Sequence, residues 1–295
     1  MGRVSDPPER LHQQAIDING TQLHYVERGS GEAVVFVHGG LGDFRTWLPE
    51  MGPFGDCYHA ISYSRRAFYP NPWPPDYDAS MMVHVDDLAG LIAKLGLGSV
   101  HLVANSYGGY ICLNVALRYP ELVRSLALAE PPVQPLLARL PGGADILDRV
   151  QREAFTPSAQ AFEAGDLEGG MRGFLDGAVG KGIYDSMPER TRQAMMKDAP
   201  ELSASMRAYY PAFMPDFTCE NAARIKVPTL LMRGELSPRM YYLVNDELAR
   251  CLPHVEQALI HGAAHVLHAQ NPEEHDRIVL DFLEKVGKQH KDGET

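Results

Sequence analysis

Ser106 is the residue in this chain whose surroundings most invite chemistry. It stands in Val100-His101-Leu102-Val103-Ala104-Asn105-Ser106-Tyr107-Gly108-Gly109-Tyr110, where an apolar run meets a serine and a helical pattern begins at once. A serine at such a strand-to-helix turn is forced into a strained backbone and projects its hydroxyl clear of the sheet. Small residues are needed at Ala104 and Gly108, because bulk there would clash across the turn. The helix that follows aims its N-terminal amides at the same spot, where they favour negative charge. A serine that merely caps an ordinary helix would share this local pattern, so Ser106 has to be read with its surroundings. A second group is His38-Gly39-Gly40-Leu41-Gly42, which follows the apolar run Ala33–Val37. Such a turn either makes a tight bend or presents backbone N–H groups. A third is His261-Gly262-Ala263-Ala264-His265-Val266-Leu267-His268, which offers three imidazoles. Imidazole titrates near neutrality and can take a proton from a serine hydroxyl. Three histidines could also suggest a metal. Gly262 breaks a continuous helix, however, and no carboxylate or cysteine completes a ligand set, so no metal site is expected.

These groups must be held by elements that the hydrophobic pattern announces. Residues 16–18 and 22–26 alternate around Asn19-Gly20, a hairpin signal. Residues 33–37 are continuously apolar, as in a strand buried on both faces. Residues 58–63 read as another strand. The stretch 66–78 carries Pro70, Pro72, Pro74 and Pro75 and reads as loop. Val85, Leu88, Ile92 and Leu95 recur at helical spacing, and Gly96 and Gly98 close that helix. Further strands are predicted over 100–104, 123–129, 228–233 and 255–260. Helices are predicted over 110–119, about 241–251 and about 272–286, with a charged tail expected to fray. Strands alternating with helices after an opening hairpin predict an α/β fold: a mostly parallel central sheet with helices on both faces. From about 131 to 217 the alternation stops, and short helical patterns are broken by Gly-Gly pairs and prolines. Roughly 85 residues is too long for a bare connection, so this segment reads as an inserted helical cap. The expected organisation is a first core portion over 1–130, the cap over 131–217 and a second core portion over 218–295. Met171, Phe174, Met195, Met196, Met206, Tyr209, Tyr210, Phe213 and Met214 form either the core of that cap or an apolar pocket.

From about residue 16 to residue 287 the chain resembles the α/β-hydrolase fold family. The resemblance is carried by the nucleophile elbow Ala104-x-Ser106-x-Gly108, with Ala104 in place of the usual first glycine. It implies Ser106 as nucleophile and the backbone N–H groups of Gly40 and Tyr107 as the oxyanion hole. It also implies His265 as general base, in the Gly-x-x-His pattern Gly262-Ala263-Ala264-His265. The acid departs from the common pattern. Gly234-Glu235-Leu236-Ser237 has Ser237 where much of the family has Asp. Some members carry the acid one strand earlier, where this chain reads Ala127-Leu128-Ala129-Glu130. A carboxylate at the end of a buried apolar strand is costly without a partner, and a histidine N–H is a suitable one. Glu130 is therefore the expected acid, with Glu235 and Asp246 as competitors. The chain order Ser106, Glu130, His265 keeps the nucleophile–acid–base order of the family. Asp43, Arg45 and Trp47 are expected to tie the oxyanion loop to the core rather than to touch substrate. Arg65-Arg66 read either as a site for a substrate carboxylate or as members of structural ion pairs.

Composition sets outer bounds. The 295 residues, 45% hydrophobic and 22% charged, suit one large globular unit. A formal net charge of −11 argues against a nucleic-acid partner, which demands a basic face. Cys57, Cys112, Cys219 and Cys251 lie neither as C-x-x-C nor at zinc-ligand spacing, and reduced thiols in a cytoplasmic protein are expected. Residues 1–10 are polar and do not read as a secretory signal. No apolar stretch approaches the roughly 18 residues of a membrane span, so no membrane association is expected. The resulting expectation is a cofactor-free serine hydrolase, monomer or homodimer, that cleaves a carboxylic ester or lactone of a small, largely apolar substrate. C–C bond hydrolysis of a diketone-like substrate can use the same residues. A ligand-binding relative without activity is the rival from another class. Epoxide hydrolase and haloalkane dehalogenase readings are disfavoured, because those relatives use an aspartate where this chain has Ser106.

Overall fold

The structure is a computed structural model that describes residues 11–73, 80–206 and 214–293. The expectations for residues 1–10, Pro74, Pro75, Tyr209, Tyr210 and Phe213 lie outside the described residues. Eight strands form one sheet: β1 (Gln14–Ile18), β2 (Thr21–Arg28), β3 (Ala33–Val37), β4 (His59–Tyr63), β5 (Val100–Asn105), β6 (Val123–Ala129), β7 (Thr229–Gly234) and β8 (Val255–Ile260). Their spatial order is β1-β2-β4-β3-β5-β6-β7-β8. β1 and β2 form the opening hairpin and β2 runs antiparallel to β4. Every other pairing is parallel.

The continuous apolar runs are explained by two-sided burial. In β3, Val35 and Val37 enter one core while Val34 and Phe36 enter the other. Leu102 and Ala104 of β5 divide from Val103 in the same way. The first core is covered by helices Met81–Lys94, Tyr107–Arg118 and Arg239–Cys251, and the second by the short turns Phe44–Trp47 and Met51–Gly55 and by the last helix, Pro272–Gly293. Strand register aligns the ends that matter. Val37 pairs with Ala104, Asn105 with Ala129, and Ala129 with Met232. The loops after β3, β5 and β6 therefore leave the sheet side by side at its C-terminal edge, where open parallel sheets bind ligands.

Between β6 and β7 the described residues form helices only, from Gln134–Ala138 through Leu167–Ala178 to Cys219–Arg224. Their buried side chains, among them Phe155, Phe162, Met171, Leu175 and Leu202, join the first core without a break.

Three expectations need correction. The helix after the serine begins at Tyr107 rather than at 110, because the Gly108-Gly109 pair is helical. The last helix continues through charged residues to Gly293 rather than ending near 286. Cys219 and Cys251 are joined in a disulfide, so four reduced thiols is not what the structure shows. Their wide sequence separation hid the pairing, which arises because helix Cys219–Arg224 packs on helix Arg239–Cys251. Among the described residues no helix is long and apolar enough to cross a membrane.

Candidate active site

Ser106 sits between β5 and the helix that starts at Tyr107, with φ 52° and ψ −126°. A non-glycine residue at positive φ carries strain of about 1–3 kcal/mol and persists only where its surroundings hold it. Here the Ser106 amide donates to the Ala129 carbonyl at 2.7 Å, and the Ser106 carbonyl accepts from the Gly109 amide at 2.8 Å. Gly108 is needed for close approach: a Cβ there would lie 2.5 Å from the Val37 carbonyl oxygen and 2.6 Å from that of His38.

The Ser106 hydroxyl lies 2.8 Å from Nε2 of His265. On the far side of the ring, Nδ1 lies 2.7 Å from Oε2 of Glu130. A carboxylate cannot donate when ionised, so Nδ1 carries the proton and donates to Glu130, leaving Nε2 to accept from Ser106. Glu130 is fully buried, has φ 49°, and accepts the Gly234 amide on Oε1 at 2.8 Å. Two supports of His265 had no signal in the sequence. The Tyr241 ring stacks on the imidazole at 4.1 Å between centroids with 14° between planes. Asn105 Nδ2 donates to the His265 carbonyl at 3.0 Å. Asn105 stood next to the serine, and Tyr241 opened a predicted helix, but neither position revealed which loop it would touch.

The competitors lie elsewhere. Glu235 accepts the Gly262 amide at 2.9 Å from an exposed position, and Asp246 pairs with Arg233 at 2.7 Å. His261 is exposed and pairs with Glu274, which raises its pKa. His268 is buried against Trp47, 4.3 Å between ring centroids. Burial, then the nearby His275 and His265, push it down to about 3, so its ring stays neutral.

Gly40 and Tyr107 both line a cavity of about 360 Å³ that opens over Ser106 and His265. Phe155, Phe174, Leu175, Val179, Met195 and Met214 from the segment between β6 and β7 supply much of its apolar wall. Met171 and Met206 are buried, and neither they nor Met196 line the cavity. Asp198 is the carboxylate on this wall. Burial, then the Asp43 charge, push it up to about 7. Asp43 and Arg45 form a local pair beside the oxyanion loop, the carboxylate also capping the turn through the Arg45 amide at 2.8 Å. Trp47 is buried against Phe36. Neither arginine of the Arg65-Arg66 pair lines the cavity. Arg66 forks onto Asp87, with both contacts at 2.7 Å, and Arg65 is buried behind the oxyanion loop.

Comparison with known proteins agrees with this architecture. The family described as alpha/beta hydrolase fold matches residues 32–272. The bifunctional epoxide hydrolase 2 of Sus scrofa is 21% identical over 322 aligned positions, covering 95% of this chain and 56% of that protein. The 2-hydroxy-6-oxo-6-phenylhexa-2,4-dienoate hydrolase of Comamonas testosteroni is 34% identical over 119 residues, which is 39% of this chain and 42% of that protein. The chain thus spans about half the length of these two curated relatives. A thermophilic esterase from Thermogutta terrifontis superposes with a TM-score of 0.71 at 23% identity, over 93% of this chain and 99% of that one.

Proposed function

The chain belongs to the α/β-hydrolase fold family, and from that premise we propose that it is a serine hydrolase acting on a carboxylic ester or lactone. The observation that carries the reading is the unbroken hydrogen-bonded line Ser106–His265–Glu130, with spacings of 2.8 and 2.7 Å. In the proposed reaction His265 Nε2 takes the hydroxyl proton as Ser106 Oγ attacks the substrate carbonyl. The Gly40 and Tyr107 N–H groups receive the tetrahedral oxyanion, a contribution of roughly 3 kcal/mol per donor. Glu130 holds the ring orientation and stabilises the imidazolium. The proton returns to the leaving alcohol, an acyl-enzyme forms, and water activated by the same histidine releases the acid. Residues 131–217 act as a cap whose apolar wall selects the substrate, and the described lining favours small, largely uncharged groups.

A second reading, C–C bond hydrolysis of a diketone-like substrate by the same residues, draws support from the Comamonas testosteroni relative, whose named substrate carries a 6-oxo group. Product analysis separates it from ester cleavage.

The deciding experiment is hydrolysis of p-nitrophenyl esters from acetate to octanoate by the wild type and Ser106→Ala. Loss of a triad serine lowers turnover by about a millionfold in a well-studied protease, so cleavage by the wild type alone is expected, and the chain-length optimum would size the pocket. Equal cleavage by both proteins would overturn Ser106 as nucleophile.

A further inference from the structure

Behind the oxyanion loop lies a buried positive charge that none of these steps uses. Arg65 follows β4, is 1% exposed, and its Nη2 donates to the Gly39 carbonyl at 2.6 Å. Its backbone N–H donates to Nε2 of His38 at 3.0 Å. That bond requires Nε2 to be the unprotonated nitrogen, so the His38 proton sits on Nδ1, which faces the same Gly39 carbonyl at 3.1 Å. Burial, then the Arg65 charge, push His38 well below the usual imidazole range and keep the ring neutral. The Gly39 carbonyl thus accepts two donors from one side. In a trans peptide the C=O and the following N–H point in opposite directions. Holding Gly39 O away from the cavity therefore aims the Gly40 N–H towards it. The loop is also tight against the elbow, since a Cβ on Gly39 would lie 3.4 Å from Ser106 Cβ.

Among the described residues the guanidinium is otherwise held by rings rather than by a carboxylate. Its Cζ lies 4.3 Å from the Phe68 ring centroid and 5.2 Å from that of Tyr107, and its Nε is buried with no hydrogen-bond partner among the described residues. A buried cation so poorly compensated works against folding. The same charge favours an anion formed on the far side of the Gly39–Gly40 peptide. We propose that Arg65 is a positioning residue of the oxyanion hole, orienting and polarising the Gly39–Gly40 peptide so that the Gly40 N–H becomes a stronger donor to the oxyanion. The inference rests on the serine-hydrolase reading above.

The test measures three quantities for the wild type, Arg65→Met and Arg65→Lys: the rate of Ser106 phosphonylation by a fluorophosphonate, kcat and KM on p-nitrophenyl butyrate per titrated active site, and Tm. Arg65→Met is expected to slow phosphonylation and kcat together by about 10–100-fold, as loss of part of a donor's strength should. KM should stay within about twofold, because the ground-state ester gains little from the oxyanion hole. Tm should hold or rise, and Arg65→Lys should recover part of the rate. Arg65→Gln, which keeps a donor and loses the charge, carries the same expectation if the methionine variant does not fold. A reactive wild type with equally reactive Met and Gln variants overturns the Arg65 proposal alone. So does a loss that disappears once rates are corrected for titrated sites. A folded wild type that the fluorophosphonate does not label overturns the serine-hydrolase reading and this inference with it.

Discussion

Glu130 and Gly234 are joined by a single hydrogen bond, from the Gly234 amide to Oε1 at 2.8 Å, that leaves Oε2 facing His265. The Glu130 carboxylate, the proposed acid, stands at the end of β6 and is steadied by the end of β7, the strand after which much of the family carries its own acid. The register that pairs Ala129 with Met232 makes the reach short. Ser237, in the position of the missing aspartate, therefore leaves no gap in the line to His265.

The first prediction follows from this division of labour. In Glu130→Gln the amide can still accept from Gly234, but it then offers Nδ1 an N–H donor and disfavours the tautomer that leaves Nε2 free to accept from Ser106. A loss in kcat of about 10³–10⁴-fold is expected, the scale seen on neutralising a triad acid. Glu235→Gln, whose carboxylate accepts the Gly262 amide from an exposed position, should change kcat by less than about threefold. Steady-state kinetics of the two variants check this, and the reverse ranking would transfer the role to Glu235.

A second prediction concerns Gly234 itself. A Cβ there would lie 2.4 Å from the Ala263 carbonyl oxygen and 2.7 Å from that of Ala264, both in the backbone that presents His265. Gly234→Ala should therefore displace the histidine loop, with a stability loss of about 1–3 kcal/mol and a kcat at least tenfold lower, since small misplacements are costly in catalysis. Calorimetry and kinetics on the same preparation test it. A variant with wild-type kcat would show that the loop yields without moving the imidazole.

How far the site was legible depended on whether its signal was local. Ser106 and the Gly39-Gly40 turn announce themselves within a few residues, because strand, small residues and helix start are contiguous. The strand pattern was readable for the same reason: burial on both faces writes a continuous apolar run. Tyr241 and Asn105 were not readable as supports of His265, since their contacts depend on a stacking angle and a loop path rather than on spacing. Arg65 and Arg66 look alike in sequence, yet one forks onto Asp87 and the other lies behind Gly39. Cys219 and Cys251 were misjudged because a pairing across 32 positions has no local signature.

That disulfide supports a third prediction. Closing a loop of 32 positions stabilises a fold by roughly 3–4 kcal/mol in the chain-entropy account. The bond ties helix Cys219–Arg224 to helix Arg239–Cys251, which carries the Tyr241 ring that rests on His265. Reduction, or Cys219→Ser with Cys251→Ser, should lower Tm by roughly 5–10 °C and should also lower kcat. Differential alkylation before and after reduction, followed by intact mass, establishes whether the bond is present. Both thiols alkylating without reductant would remove it and would suit the cytoplasmic setting expected from the sequence, where such bonds are rare.

Glu50 provides a pH-dependent test of the fold. It is 1% exposed, and its Oε2 has no hydrogen-bond partner among the described residues. Burial, then the neighbouring Asp276 charge, push its carboxyl from an ordinary 4.5 up to about 8. Between those two values the folded protein keeps a proton that the unfolded chain has released. The folded state then binds more protons, so raising the pH lowers the free energy of unfolding. The contribution is complete below about 4.5 and is lost as the pH rises through about 8. Glu50→Gln removes the titration while keeping a neutral side chain of similar shape. Relative to the wild type, this variant should gain stability from pH 5 up to about pH 8 and then level off, by about 1–3 kcal/mol in total after allowance for relaxation around the site. Thermal unfolding of both proteins across that range measures the difference directly. Parallel Tm curves would mean that Glu50 ionises at its ordinary value and that its surroundings are wetter than the 1% exposure implies.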